Sequence, residues 1–135
     1  MKSRSIELHD SEVADIASLA DKRVTIHFSS AYGHESIGVP GVNRGKGYVQ
    51  KAELIVDRGI VLGALPSFPV TISEGTVVED GRESSNMMPI PYEFRGLFDL
   101  CIVFITAHTV SVRGAGANLV LHGEAEYVEE FRGRN

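Results

Sequence analysis

Five histidines punctuate the chain, at His9, His27, His34, His108 and His122, and the first stands beside a carboxylate and a hydroxyl in His9-Asp10-Ser11. Imidazole and carboxylate together suit Zn²⁺ or Fe²⁺, so His9, Asp10, His27 and His34 form the candidate metal set, should the fold gather them. None of the histidines stands at HxH or HExxH spacing, so the sequence alone leaves the metal unassigned. His9-Asp10-Ser11 also holds the residue types of a hydrolase relay. Neighbours on an extended chain point to opposite faces, however, so these three cannot form a nucleophile–base–orienter chain among themselves. Asp10 and Ser11 are better explained as residues that turn or cap the chain by bonding nearby backbone amides. No catalytic constellation is assigned, which leans away from an enzyme, and no cofactor is implied.

The segment Ser30 to Gly47 is the most unusual stretch. It carries five glycines (Gly33, Gly38, Gly41, Gly45 and Gly47) among Tyr32, His34, Glu35, Asn43, Arg44 and Lys46. This composition predicts a long glycine-rich loop, either a binding loop or a flexible connection or oligomer arm. Within it, Gly41 to Gly47 resembles a phosphate-binding loop only superficially. The GxxxxGK[ST] spacing is not met, and Gly47 stands where a hydroxyl should hold Mg²⁺. The candidate ligand or partner contacts are therefore His9, Asp10, His27, Tyr32, His34 and Arg44. Other chemically capable residues have plainer explanations. Cys101 lies in the apolar run Leu100 to Ile105 and reads as a buried thiol. Glu129-Glu130 reads as a solvated face. Met87-Met88 beside Pro89 and Pro91 either lines a pocket or plugs one end of the core.

The elements that must position these residues are strands. Val24, Ile26 and Phe28 alternate with Arg23, Thr25, His27 and Ser29, which gives a strand with one wet face. Thr109 to Arg113 and Asn118 to His122 repeat the pattern around Gly114-Ala115-Gly116-Ala117, which predicts a hairpin turn. Tyr48 to Val56 alternates before a turn at Asp57-Arg58-Gly59. Val70-Thr71-Ile72 and Thr76-Val77-Val78 flank Ser73-Glu74-Gly75, a second hairpin candidate. Leu100 to Ile105 predicts a central strand covered on both sides. Pro89 and Pro91 limit the stretch around Ile90 to an edge or irregular strand. Asp10 to Asp21 fits a capped helix or a strand, with the strand preferred because its neighbours are strands. Glu124 to Phe131 is open between strand and short helix. The expected fold is all-β: an antiparallel sandwich or partly closed barrel of about eight to ten short strands, with at most one short helix.

Length and composition bound the functional classes. The 135 residues suit a single domain over 1–135, with 132–135 expected as a disordered tail. The formal net charge of −5 argues against a nucleic-acid partner, which needs a surplus of Lys and Arg on one face. One cysteine excludes an internal disulfide. No apolar run approaches the roughly 20 residues of a membrane helix, and the N-terminus lacks an apolar signal core, so no membrane partner and a cytoplasmic location are expected.

The opening Ile6-Glu7-Leu8-His9-Asp10-Ser11-Glu12, followed by the Val24-Ile26-Phe28 strand, resembles small bacterial β-proteins of unknown function that begin with an "LHDS" segment. It is also similar to immunity proteins of bacterial polymorphic toxin systems, which share an HD near the N-terminus. The closing Leu121 to Phe131 carries the same likeness. The resemblance implies a non-enzymatic bacterial protein and transfers no catalytic residues. The reading that follows is a binding or interaction domain using the 30–47 loop and the polar face with His27, with homodimerisation through sheet edges as one route. The alternatives are a metal-binding β-barrel protein or enzyme with a His/Asp site, and an immunity-type protein that binds a toxin partner.

Overall fold

The computed structural model describes residues 2–37 and 45–131. Within them the chain is all-β and antiparallel, and no helix occurs among the described residues. The strands are β1 (Lys2–Ser18), β2 (Val24–Ile37), β3 (Gly45–Val56), β4 (Ile60–Leu62), β5 (Val70–Glu79), β6 (Arg82–Ser85), β7 (Met87–Ile90), β8 (Glu93–Phe104) and β9 (Thr109–Phe131). They form one sheet in the order β6-β5-β8-β9-β3-β2-β1-β7, with β4 paired to β9. The sheet curls until β5 meets β1 through Glu12 opposite Thr71 and Val13 opposite Val70, so the strands are partly ringed.

The period-two pattern explains the inside of this ring. Val24, Ile26 and Phe28 of β2 are buried, as are Ala52, Leu54 and Val56 of β3, while His27 stays half-buried on the other face. Leu100, Ile102 and Phe104 of β8 meet Val110 and Val112 of β9 in the same core. Each large aliphatic side chain so buried contributes about 1.5–3 kcal/mol of transfer free energy. Pro89 falls in β7, which among the described residues pairs with β1 alone and ends the sheet, as suits an edge strand carrying proline.

Several expectations are corrected. The glycine-rich stretch is not a loop from Ser30 to Gly47: residues 30–37 continue β2 and residues 45–47 begin β3, paired from Ala31 opposite Gln50 to Ser36 opposite Gly45. Gly114 to Ala117 makes no hairpin; β9 runs straight through it. A Cβ at Gly114 would stand 2.3 Å from the Asp57 carbonyl oxygen, so this glycine permits a close backbone approach. Likewise Ser73 to Gly75 lies within β5, at a register shift, and a Cβ at Gly75 would press on Leu8 at 2.7 Å. The tight turn comes at Asp80-Gly81, with φ values of 49° and 85°, where a two-residue connection with positive φ joins β5 to β6. Leu100 to Ile105 is not covered on both sides. Cys101 and Val103 are half-buried and Ile105, beyond the strand, is 67% exposed, so the thiol is not a core group. Residues 11–18 are strand, because β1 is clasped between β2 and the β5 and β7 strands. Residues 124–131 are strand too. The expected tail at 132–135 lies outside the described residues.

Candidate functional site

A line of irregularities crosses four neighbouring strands. Register shifts fall between Glu7 and Asp15 of β1, between Phe28 and Ala31 of β2, and at Gly47/Tyr48 and Val49/Lys51 of β3 against β9. Such bulges bend a sheet and re-aim its side chains. Beyond the line, the outer halves of β1, β2, β3 and β9, with β7, form a flap projecting from the ring. Glu7, Tyr32, His34, Val49 and Glu129 share the flap's outer face.

The bulge in β1 explains His9-Asp10-Ser11. Glu7 pairs with Tyr32 and Glu12 with Ser30, so residues 8–11 oppose a single residue of β2. Leu8 and Ser11 turn inward, each with 0% exposure. Asp10 takes φ 70°, a left-handed conformation that aspartate tolerates better than most residues. The Ser11 hydroxyl donates to the Glu7 carbonyl at 2.6 Å and accepts from the Tyr32 amide at 2.9 Å. It is thus a plug for two backbone groups that the bulge takes out of the ladder, and it is held away from any relay with His9.

Outside the bulge the polar side chains pair across strands. His34 Nε2 lies 2.5 Å from Glu7 Oε2, with the imidazole 7% exposed. Tyr32 stands edge-on to that imidazole, ring centroids 5.1 Å apart, and its hydroxyl donates to Glu129. That last contact passes over Gly47, where a Cβ would come within 2.5 Å of the Tyr32 oxygen. His9 Nδ1 lies 3.2 Å from Asp10 and 3.6 Å from Glu7. The His34 hydrogen bond holds the Glu7 carboxyl below the usual glutamate range, against an opposing effect of burial. Burial first, and the Glu129 carboxylate second, push the Tyr32 hydroxyl well above its ordinary range, so it remains a protonated donor at neutral pH.

Four of the six sequence candidates, His9, Asp10, Tyr32 and His34, are therefore gathered around Glu7. His27 is not among them. It faces Asp15 and Glu53 and lines a groove of about 360 Å³ with Lys51 and His122. Arg44 lies outside the described residues. No group of three or more His, Cys, Asp or Glu arranged to hold a metal ion occurs among the described residues. A second groove, of about 460 Å³, adjoins the first through Ser29, Lys51 and His122 and runs out along Glu124 and Glu126 of β9. His122 Nε2 meets Glu53 at 2.9 Å, and Ser29 donates to Glu12 at 2.7 Å. Both grooves are shallow and open, and of their ionisable groups His122 and Glu53 pair with each other. Sequence reasoning missed Glu7 as the hub and set Glu129 aside as solvated. Glu7 does lie two residues before His9, but nothing in the sequence links Glu129 to Tyr32.

Compared with protein-family models, curated proteins and solved structures, the chain matches none of them. No helix among the described residues is long and apolar enough to cross a membrane.

Proposed function

We propose that this chain is a non-catalytic binding domain whose contact region is the flap and the polar outer face that continues from it to His27. The observation that carries this reading is the use made of the reactive side chains. Glu7 with His34, Tyr32 with Glu129, and Ser11 with two backbone groups hold the flap together, and these paired groups leave no nucleophile beside a free base among the flap's described residues. The flap also carries the longest exposed run among the described residues: β9 is exposed at every residue from His122 to Glu130. A sheet surface with shallow, open grooves suits a macromolecular partner better than an enclosed small substrate. The likeness of the opening segment to toxin-immunity proteins gives this reading a more specific form, a bacterial cytoplasmic protein that caps a toxin.

Site-specific photo-crosslinking in the native cell tests the proposal. A crosslinker at Tyr127, 57% exposed on the flap, is expected to give discrete adducts, and one at Leu97, 75% exposed on β8, is not. Equal adduct patterns from the two positions would overturn it.

A further inference from the structure

One edge of the flap is open. On its β8 side, β9 is paired from Thr109 to Asn118, and the Leu119 amide donates a last hydrogen bond to the Tyr92 carbonyl at 3.1 Å. From residue 120 to 131 only the β3 side is occupied among the described residues. Backbone N–H and C=O groups on the other side are left without a strand along an edge of at most about 40 Å, at roughly 3.3 Å per residue, broken by bulges at residues 123–125, where Gly123 takes φ 69°, and at Val128. The opposite edge of the flap, β7, is short and carries Pro89, so it cannot serve in the same way.

The side chains select what this edge accepts. Glu124 and Glu126 stand on the outer face, beside Lys51 and His122. Tyr127 stands on the inner face against Tyr48, ring centroids 6.0 Å apart. Between residues 120 and 130 the strand holds Glu124, Glu126, Glu129 and Glu130 and no Lys or Arg. Pairing this edge with its own copy would set glutamates against glutamates, which is unfavourable across adjacent strands. A basic strand does not meet this obstacle. We infer that the open edge of β9 takes up an extended segment of a partner protein as an additional antiparallel strand, one alternating Lys or Arg with apolar residues. Its basic side chains would lie beside Glu124 and Glu126, and its apolar ones beside Tyr127. This deepens the binding-domain reading and rests on it.

The probe is a fluorescent eight-residue peptide alternating Lys and Val, followed by anisotropy at low salt with hydrogen exchange of the protein backbone. Binding is expected to protect amides between residues 120 and 131. It should weaken at least tenfold in the E124K/E126K variant, and at least tenfold for the same peptide N-methylated at alternate residues, which keeps the charge and removes the donors. Equal binding of the N-methylated peptide, protection confined to other strands, or no binding would overturn strand addition. So would light scattering that shows a dimer with the same amides protected before peptide is added, since the occupant would then be a second copy. Tyr127 crosslinks that persist when the peptide fails would leave the binding-domain reading standing. Loss of both removes both.

Discussion

Replacing Ser11 with alanine removes one oxygen atom and exposes the logic of the β1 bulge. The hydroxyl satisfies the Glu7 carbonyl at 2.6 Å and the Tyr32 amide at 2.9 Å, and the side chain is 0% exposed. Alanine keeps the Cβ and fits without strain, so the loss reports on the hydrogen bonds alone. Each buried backbone group left without a partner costs about 1–3 kcal/mol. With two such groups and partial relaxation, Ser11→Ala is expected to destabilise by about 2–4 kcal/mol, a large share of the roughly 5–15 kcal/mol typical of a folded domain. For a chain of this size that corresponds to a fall in Tm of about 10 °C. The assay is urea and thermal unfolding at neutral pH, with the urea m-value expected to be unchanged. Ser29→Ala is the control. Its hydroxyl donates to the Glu12 carboxylate at 2.7 Å on a half-buried surface where water can substitute, so its cost should stay below about 1 kcal/mol. A Ser11→Ala protein within about 0.5 kcal/mol of the parent, or no less stable than Ser29→Ala, would refute the plug.

Other perturbations probe the same architecture. The His34 hydrogen bond lowers the Glu7 carboxyl below its reference value of 4.5, so its contribution is present above that pH and is lost as pH falls through the depressed folded value. Acid titration of stability should be flatter in Glu7→Gln below pH 4.5 than in the parent, and superimposable acid limbs would contradict the pairing. Burial, and then the hydrogen bond to Glu79, raise the Tyr92 hydroxyl above its reference value of 10.0. Its contribution is therefore complete below pH 10 and declines as pH rises above it, so Tyr92→Phe should show a shallower alkaline loss in chemical denaturation. At Gly75 an added Cβ would sit 2.7 Å from Leu8 Cδ1 and 2.9 Å from Leu8 Cβ. Gly75→Ala should cost about 1–3 kcal/mol through overpacking, and a neutral result would show that Leu8 can move aside.

The ring was legible where one face meets water and the other meets the core. Val24-Ile26-Phe28, Ala52-Leu54-Val56 and Val110-Val112 each announce themselves by alternation, and all are buried. Turns were harder, because glycine has two meanings. Gly75 and Gly114 looked like turn residues, yet each sits in a strand where Leu8 or the Asp57 backbone comes close. The true turn at Asp80-Gly81 did carry a local signal, an Asp-Gly pair between alternating segments, which is the strongest short-range mark of a hairpin. Strand length was not legible at all. β9 passes from a place between β8 and β4 to a place beside β3, and only tertiary pairing fixes where it continues.

The same ambiguity governs the candidate site. Tyr32 and His34 stand two apart on a strand, so a shared face is dictated by backbone geometry alone. Their partners are not: Glu7 and Glu129 arrive from strands whose register depends on a four-residue bulge in β1 and a shift at Gly47. The glycines that suggested a mobile loop are instead what makes the pairing fit. Gly45 would otherwise drive a Cβ into the Glu35 carbonyl at 2.2 Å, and Gly47 would block the passage from Tyr32 to Glu129. These small residues at alternate positions stand opposite His34 and Ser36 on the next strand, and the Tyr32 side chain crosses over Gly47. The flap is thus a hydrogen-bonded sheet, and a strand already paired on one side can meet a partner with little conformational entropy left to lose. A mobile arm would have to be ordered first. An interaction through this strand should therefore be limited by charge and edge geometry, not by folding of the domain that presents it.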